Sequence, residues 1–119
     1  SYPTAYFGRG VMRLQQKQEA AAIEDFTRCT ELAPGLAEGY LMRGKALAQQ
    51  GEFRKAIADF SEAVRIDAKL FRGYLWRAYA FMALNENDRA MADLRYVRDQ
   101  CKDPVLVKLA RDCIHNLSL

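Results

Sequence analysis

Histidine occurs once in this chain, as His115, and no residue near it in sequence forms the pairing that proton transfer or metal binding needs. Catalysis asks for convergent groups: a nucleophile with its base, paired carboxylates, or metal ligands at helical spacing. None of these patterns is present, and neither is a glycine loop of the kind that cradles phosphate. The three cysteines, Cys29, Cys101 and Cys113, are odd in number and make neither a C-x-x-C motif nor a Cys/His cluster. They read as reduced, small, apolar fillers, which suits a cytoplasmic or nuclear setting. We therefore expect no enzyme, no cofactor and no metal.

Long apolar runs are also missing. The longest weakly charged stretch, Tyr74 to Leu84, still contains Arg77, whereas crossing a bilayer takes roughly 18 to 20 apolar residues. No charged-then-apolar leader opens the chain, so no membrane partner is expected. The first residue is Ser1 and not methionine, from which we expect a piece of a longer polypeptide whose targeting signals lie elsewhere. Charge of one sign is nowhere concentrated: 18 basic and 15 acidic side chains alternate along the whole length, for a net charge of +3. Nucleic-acid binders gather lysine and arginine on one face or tail, so no nucleic-acid partner is expected. At 119 residues and 50% hydrophobic content there is room for one core and no second domain.

What the chain does have is self-similarity. A block of about 34 residues is written three times: Tyr6 aligns with Tyr40 and Tyr74, Gly10 with Gly44 and Ala78, Ala22 with Ala56 and Ala90, and Phe26 with Phe60 and Leu94. Within each block the apolar period is helical and breaks near the middle. Tyr40, Gly44 and Leu47 share one face of a first helix, and Ala56, Phe60, Ala63 and Val64 share one face of a second. Gln50-Gly51 separates them, with Asn85 in the same slot of the third block and Lys17 as the weaker version in the first. Pro34-Gly35 closes the first block, while Ala68 occupies the proline slot of the second, a boundary placed by periodicity alone. Small residues in the Gly10 and Ala22 columns let the two helices approach, and a pair this short must stack on its neighbours to cover its apolar stripe.

Two charged columns run beside the apolar ones. Arg9, Arg43 and Arg77 each precede an aspartate, Asp25, Asp59 and Asp93, by the same interval. An ion pair across each hairpin is expected. The alternative is a ladder of ligand-binding arginines, which would not call for a matching acidic column. After this, Asp103-Pro104 makes a good helix start, and Leu106, Leu109, Ala110, Cys113 and Leu117 form an apolar stripe opposite Lys108, Arg111, Asp112 and Asn116. Continuing the repeat would put Lys108 and Asp112 in core slots, so this segment reads as a terminal capping helix.

The aromatic, the small residue four positions on, the alanine, the phenylalanine and the closing proline resemble the tetratricopeptide repeat. Tyr6-Gly10-Ala22-Phe26-Pro34 and Tyr40-Gly44-Ala56-Phe60 match that pattern well, and Tyr74-Ala78-Ala90-Leu94 less closely. The resemblance implies an all-α, right-handed α-solenoid forming a single domain, with repeats at 3–36, 37–70 and 71–104 and a capping helix at 105–117. It also implies that the first helices line a concave face where partner peptides or helices sit. The corresponding slots hold Thr4, Phe7, Val11 and Leu14 in the first unit, and Glu38, Leu41, Met42, Lys45 and Gln49 in the second. The third supplies Arg72, Leu75, Trp76, Tyr79 and Met82. One known use of the family is a basic clamp on the acidic tails of chaperones. Its slots hold Phe7, Val11, Met42, Arg72 and Trp76 here, only one of them basic, so that clamp is not expected.

The apolar character of the face suits capture of an apolar segment and not of a plain acidic tail. Leu75, Trp76, Tyr79 and Met82 make the third unit's first helix apolar all round, since Tyr74, Ala78 and Phe81 occupy its internal face. Trp76 is compatible with groove lining and with core alike. Two functions follow: a recognition module, scaffold or adaptor that holds a partner's peptide or amphipathic helix, or a structural segment of a longer array that associates with copies of itself. A docking domain of a co-chaperone-like or multi-domain assembly protein is a variant of the second.

Overall fold

The computed structural model describes residues 2–119. Seven α-helices follow one another: α1 (Tyr2–Gln15), α2 (Glu19–Leu32), α3 (Ala37–Gln49), α4 (Phe53–Ile66), α5 (Phe71–Ala83), α6 (Asn87–Gln100) and α7 (Pro104–Leu117). No described helix is long and apolar enough to cross a membrane. Each helix packs antiparallel to the next in the manner of a helical hairpin, and α1, α3, α5 and α7 also touch in sequence. The even-numbered helices do not approach one another as closely. A stack whose odd helices crowd together while its even ones splay apart is curved, with the odd helices inside. The result is an all-α solenoid 44 Å long.

The turn inside each hairpin is built the same way three times. Lys17, Gly51 and Asn85 have φ of 61°, 81° and 60°, the left-handed conformation that ends a helix. The amide after each then donates back to a carbonyl five residues earlier: Gln18 to Arg13 at 2.8 Å, Glu52 to Leu47 at 2.9 Å and Glu86 to Phe81 at 2.9 Å. Only glycine takes this conformation without cost. Between hairpins the devices differ. Pro34-Gly35 occupies the first connection, and in the second the side chain of Asp67 accepts from the Lys69 amide at 3.0 Å, an Asx turn doing what the missing proline does elsewhere. At the start of α7, Asp103 caps the helix by accepting from the Val105 amide at 2.9 Å, with Pro104 in the first turn.

Helix pairs close over a small residue facing a large one. A β-carbon placed on Gly10 would lie 2.7 Å from the Phe26 ring, and one on Gly44 would lie 2.6 Å from the Phe60 ring. In the third pair the small residue is Ala78, and there the facing residue is Leu94 and not phenylalanine. The pairing of glycine with phenylalanine and alanine with leucine is thus a volume match, repeated along the stack.

The arginine and aspartate columns form the expected pairs. Arg43 donates from Nε and Nη2 to the two oxygens of Asp59, both at 2.8 Å, and Arg77 holds Asp93 at 2.8 and 2.7 Å. Arg9 holds Asp25 at 2.7 Å, with Arg13 adding a second donor at 2.9 Å. Each guanidinium also lies over the tyrosine of its own unit, 5.7 Å from Tyr6, 5.6 Å from Tyr40 and 5.3 Å from Tyr74. Arg43 reaches back to the hydroxyls of Thr27 and Thr30, and Arg77 to that of Ser61. The column therefore ties each hairpin internally and fastens the second and third to the one before.

Along α7 the buried side is Ala110, with Leu106, Val107, Cys113, Ile114 and Leu117 packed beside it against the third unit. Leu109, assigned by sequence pattern to that stripe, is 49% exposed. The helix is rotated so that Val107 and Ile114 take its place in the contact. The opposite side carries Lys108, Arg111, Asp112 and His115, all exposed, with Lys108 and Asp112 paired at 2.9 Å.

Candidate functional site

The inner layer of odd helices divides into two regions. Toward the start of the chain, Phe7, Val11 and Met42 are half-buried against Leu14, Ala22, Phe26 and Ala46, and the Phe7 ring meets Phe26 edge-on at 6.0 Å. This region is an apolar surface of half-buried side chains packed on the core. Leu41 is corrected by the structure: at 0% exposure it belongs to the middle core with Ala37, Ala48 and Phe60, and no partner can reach it. The same slot is half-buried at Phe7 and at Leu75, where the surface opens into the cleft described next.

Toward the other end the surface opens into a cleft of about 630 Å³ between α3, α5 and α7. Helix α5 forms its floor and one wall with Arg72, Leu75, Trp76, Tyr79 and Met82; Ala48 and Gln49 at the end of α3 form a second edge. Leu106, Leu109 and Cys113 of α7 close the far side, and Leu94 of α6 lies at the base. The sequence pattern pointed to the α5 group but assigned the α7 residues to internal packing. Leu109 stands one repeat length after Leu75 and Leu106 one after Arg72; extending the groove slots into the last helix, instead of stopping at its polar core slots, would have found them.

Trp76 serves both parts the sequence left open. One face of its indole stacks on the buried Phe60 ring at 6.3 Å and 28°, and its edge meets Tyr79 at 5.8 Å. Its remaining surface lines the cleft. Tyr79 is held in turn by Phe53 at 6.2 Å, and its ring stays 49% exposed. Aromatic side chains fixed on one side and bare on the other are preorganised for contact, because little rotamer freedom is left to lose on binding.

The polar groups are few. Arg72 reaches across to Glu38 of α3 at 2.6 Å, joining two inner helices. Lys45 places its ammonium 5.0 Å above the Trp76 ring and makes no ion pair among the described residues. Burial lowers the Lys45 pKa from the ordinary lysine range, nearby Arg72 lowers it further, and Glu38 opposes both. Of the slots that would form a basic clamp, Phe7, Val11 and Met42 sit in this apolar region, Trp76 in the cleft, and Arg72 already holds a carboxylate. His115 is exposed on the outer side of α7. No group of histidine, cysteine or carboxylate side chains among the described residues could hold a metal ion. Cys29 and Cys101 are buried and Cys113 half-buried, all as free thiols.

Comparison with known proteins places this geometry. A family model described as tetratricopeptide repeat matches residues 3–36, and one described as TPR repeat matches residues 44–85. No curated protein matches by sequence. Among solved structures, the TPR2B domain of yeast Sti1 in complex with an Hsp70 peptide is 25% identical, with a TM-score of 0.84 over 93% of this chain and 97% of that one. The yeast Sti1 TPR2AB domain in its HSP90 complex is 27% identical with a TM-score of 0.86, over 93% of this chain and 43% of the larger one. The first TPR of Spaghetti (RPAP3), bound to an HSP90 peptide, shares the fold at 19% identity and a TM-score of 0.87, covering 99% and 94%. With its helix-pair repeat, its matched motifs and this likeness of fold, the chain belongs to the tetratricopeptide repeat family.

Proposed function

We propose that this domain is a protein-interaction module whose ligand is an apolar segment of a partner, a peptide or an amphipathic helix, seated in the cleft between α3, α5 and α7. Three repeats, at 3–36, 37–70 and 71–104, supply the scaffold, and the helix at 105–117 both caps the third repeat and provides a wall of the site. The reading rests chiefly on one observation: the cleft walls are Leu75, Trp76, Tyr79, Met82, Leu106 and Leu109, apolar side chains that the fold holds in place without covering.

The size of the cleft fits such a ligand. A cavity of about 150 Å³ holds one benzene, so 630 Å³ has room for roughly three or four groups of that size. Burying two or three leucine- or phenylalanine-sized side chains is worth about 3 to 9 kcal/mol before the costs of association. The neighbours in Hsp70 and HSP90 complexes support a protein-binding role; the residues in the clamp slots argue for a different peptide.

Selection from a library of random twelve-residue segments displayed internally in a carrier tests the proposal. The wild-type domain is expected to enrich sequences with bulky apolar residues. Tyr79→Glu and Leu109→Glu alter side chains exposed enough to leave the fold intact, as circular dichroism would verify, and should lose the enriched sequences. Equal recovery by both variants would place the binding site elsewhere.

A further inference from the structure

The chemistry around the cleft is specific enough to describe its ligand further, on the footing of the interaction role proposed above. The walls contain no carboxylate. Of the two cations next to it, Arg72 is neutralised by Glu38 at 2.6 Å. Lys45 is different: its ammonium lies over Trp76, is half-buried, and makes no ion pair among the described residues, Glu38 acting on it only from beyond ion-pair distance. The cation–π contact with Trp76 compensates part of the lost hydration, but it supplies no hydrogen-bond acceptor for the three ammonium donors. Burial and Arg72 both disfavour the charged form, which is the signature of a cation that would gain from a carboxylate.

We infer that the ligand is an internal stretch of a partner chain in which a bulky apolar side chain fills the cleft while one neighbouring aspartate or glutamate pairs with Lys45. One acid, and not a run of them, is what this surface accommodates. Lys45 is the single cation beside Trp76 that makes no ion pair among the described residues, so one carboxylate finds a partner there and a second does not. A chain terminus carrying both its own carboxylate and an acidic side chain would need at least two free cations. The clamp slots supply none beyond Arg72, which Glu38 already occupies. The inference thus separates this site from one that reads an acidic tail.

The library selection supplies the test. Sequences enriched by the wild type should carry an acidic residue at a fixed distance from the apolar anchor, and Lys45→Glu should enrich lysine or arginine at that position instead. One enriched sequence is then synthesised with acetylated and amidated ends. Changing its acidic residue to the amide should weaken binding to the wild type about tenfold, the size of one charge-assisted hydrogen bond. The same change should matter less than about twofold for Lys45→Gln. Apolar enrichment without the acid, an equal loss in both proteins, or binding that disappears on amidating the end overturns this inference and leaves the interaction role standing. Enrichment of nothing by the wild type overturns both.

Discussion

Substituting Gly44 by alanine adds one methyl group to the middle of the molecule, and the structure fixes what it meets. The new β-carbon would lie 2.6, 2.8 and 3.1 Å from three carbons of the Phe60 ring. That ring is 0% exposed and stacks on Trp76, so it has no free volume to retreat into. Overpacking of this kind costs about 1 to 3 kcal/mol, and an overlap of this depth on a rigid ring belongs at the upper end. Replacing a helical glycine by alanine returns about 1 kcal/mol, leaving a net loss of about 2 kcal/mol. With a urea slope of roughly 2 kcal/mol/M the midpoint falls by about 1 M. Gly8 is the control: it lies in the same kind of helix, and a β-carbon there meets nothing within 4 Å. Gly8→Ala should therefore raise stability by about 1 kcal/mol. The third repeat shows the remedy in its own sequence, because Ala78 is accommodated where Leu94 replaces the phenylalanine. In a Phe60→Leu background, Gly44→Ala should lose most of its cost, giving a coupling energy of about 1 to 2 kcal/mol. A Gly44→Ala protein as stable as Gly8→Ala, or an unchanged cost after Phe60→Leu, would refute the volume match.

Other perturbations separate the remaining parts of the account. Arg43→Met leaves the buried Asp59 carboxylate without its only hydrogen-bonding side chain among the described residues and should cost about 2 to 4 kcal/mol in urea unfolding; Arg9→Met should cost less, because Arg13 still holds Asp25. Lys17→Gly removes a side chain from a left-handed position and should stabilise by about 1 kcal/mol in the same assay, as the glycine at the matching position 51 suggests. Burial raises the thiol pKa of Cys29 and of Cys113, so both should alkylate slowly at neutral pH and faster as the pH rises. Half-buried Cys113, at the cleft wall, should react before buried Cys29 in the native protein and be protected by a bound peptide; mass spectrometry of iodoacetamide-labelled protein reads both.

The periodic part of the fold was legible because it repeats. One column of tyrosines or arginines is weak evidence, but Tyr6, Tyr40 and Tyr74 in step with Arg9, Arg43 and Arg77 and with three aspartates specify a helix pair and its ion pair together. The non-repeating features were harder. Asp67 replaces the proline at the second boundary through a side-chain hydrogen bond, which no spacing announces. Leu41 is buried while Phe7 and Leu75 in the same slot are half-buried, a difference of surroundings along the stack that the repeated residue pattern does not carry. The rotation of α7, which turns Leu109 outward and admits Ile114 to the contact, follows from tertiary packing that the helical stripe alone leaves free by one side chain in either direction. The cleft was half visible for the same reason: its α5 wall lies inside the repeat, whereas its α7 wall lies beyond it.

The most direct test of the central claim uses Trp76, the single tryptophan of the chain. Its fluorescence is quenched by acrylamide in the free domain to the degree that its cleft-facing side admits solvent. Titration with an enriched synthetic peptide should shift the emission to the blue and lower the quenching constant, saturating at the same concentration as binding measured by calorimetry. Saturation in the calorimeter with emission and quenching unchanged would mean that the ligand binds away from the cleft, and the account would be wrong.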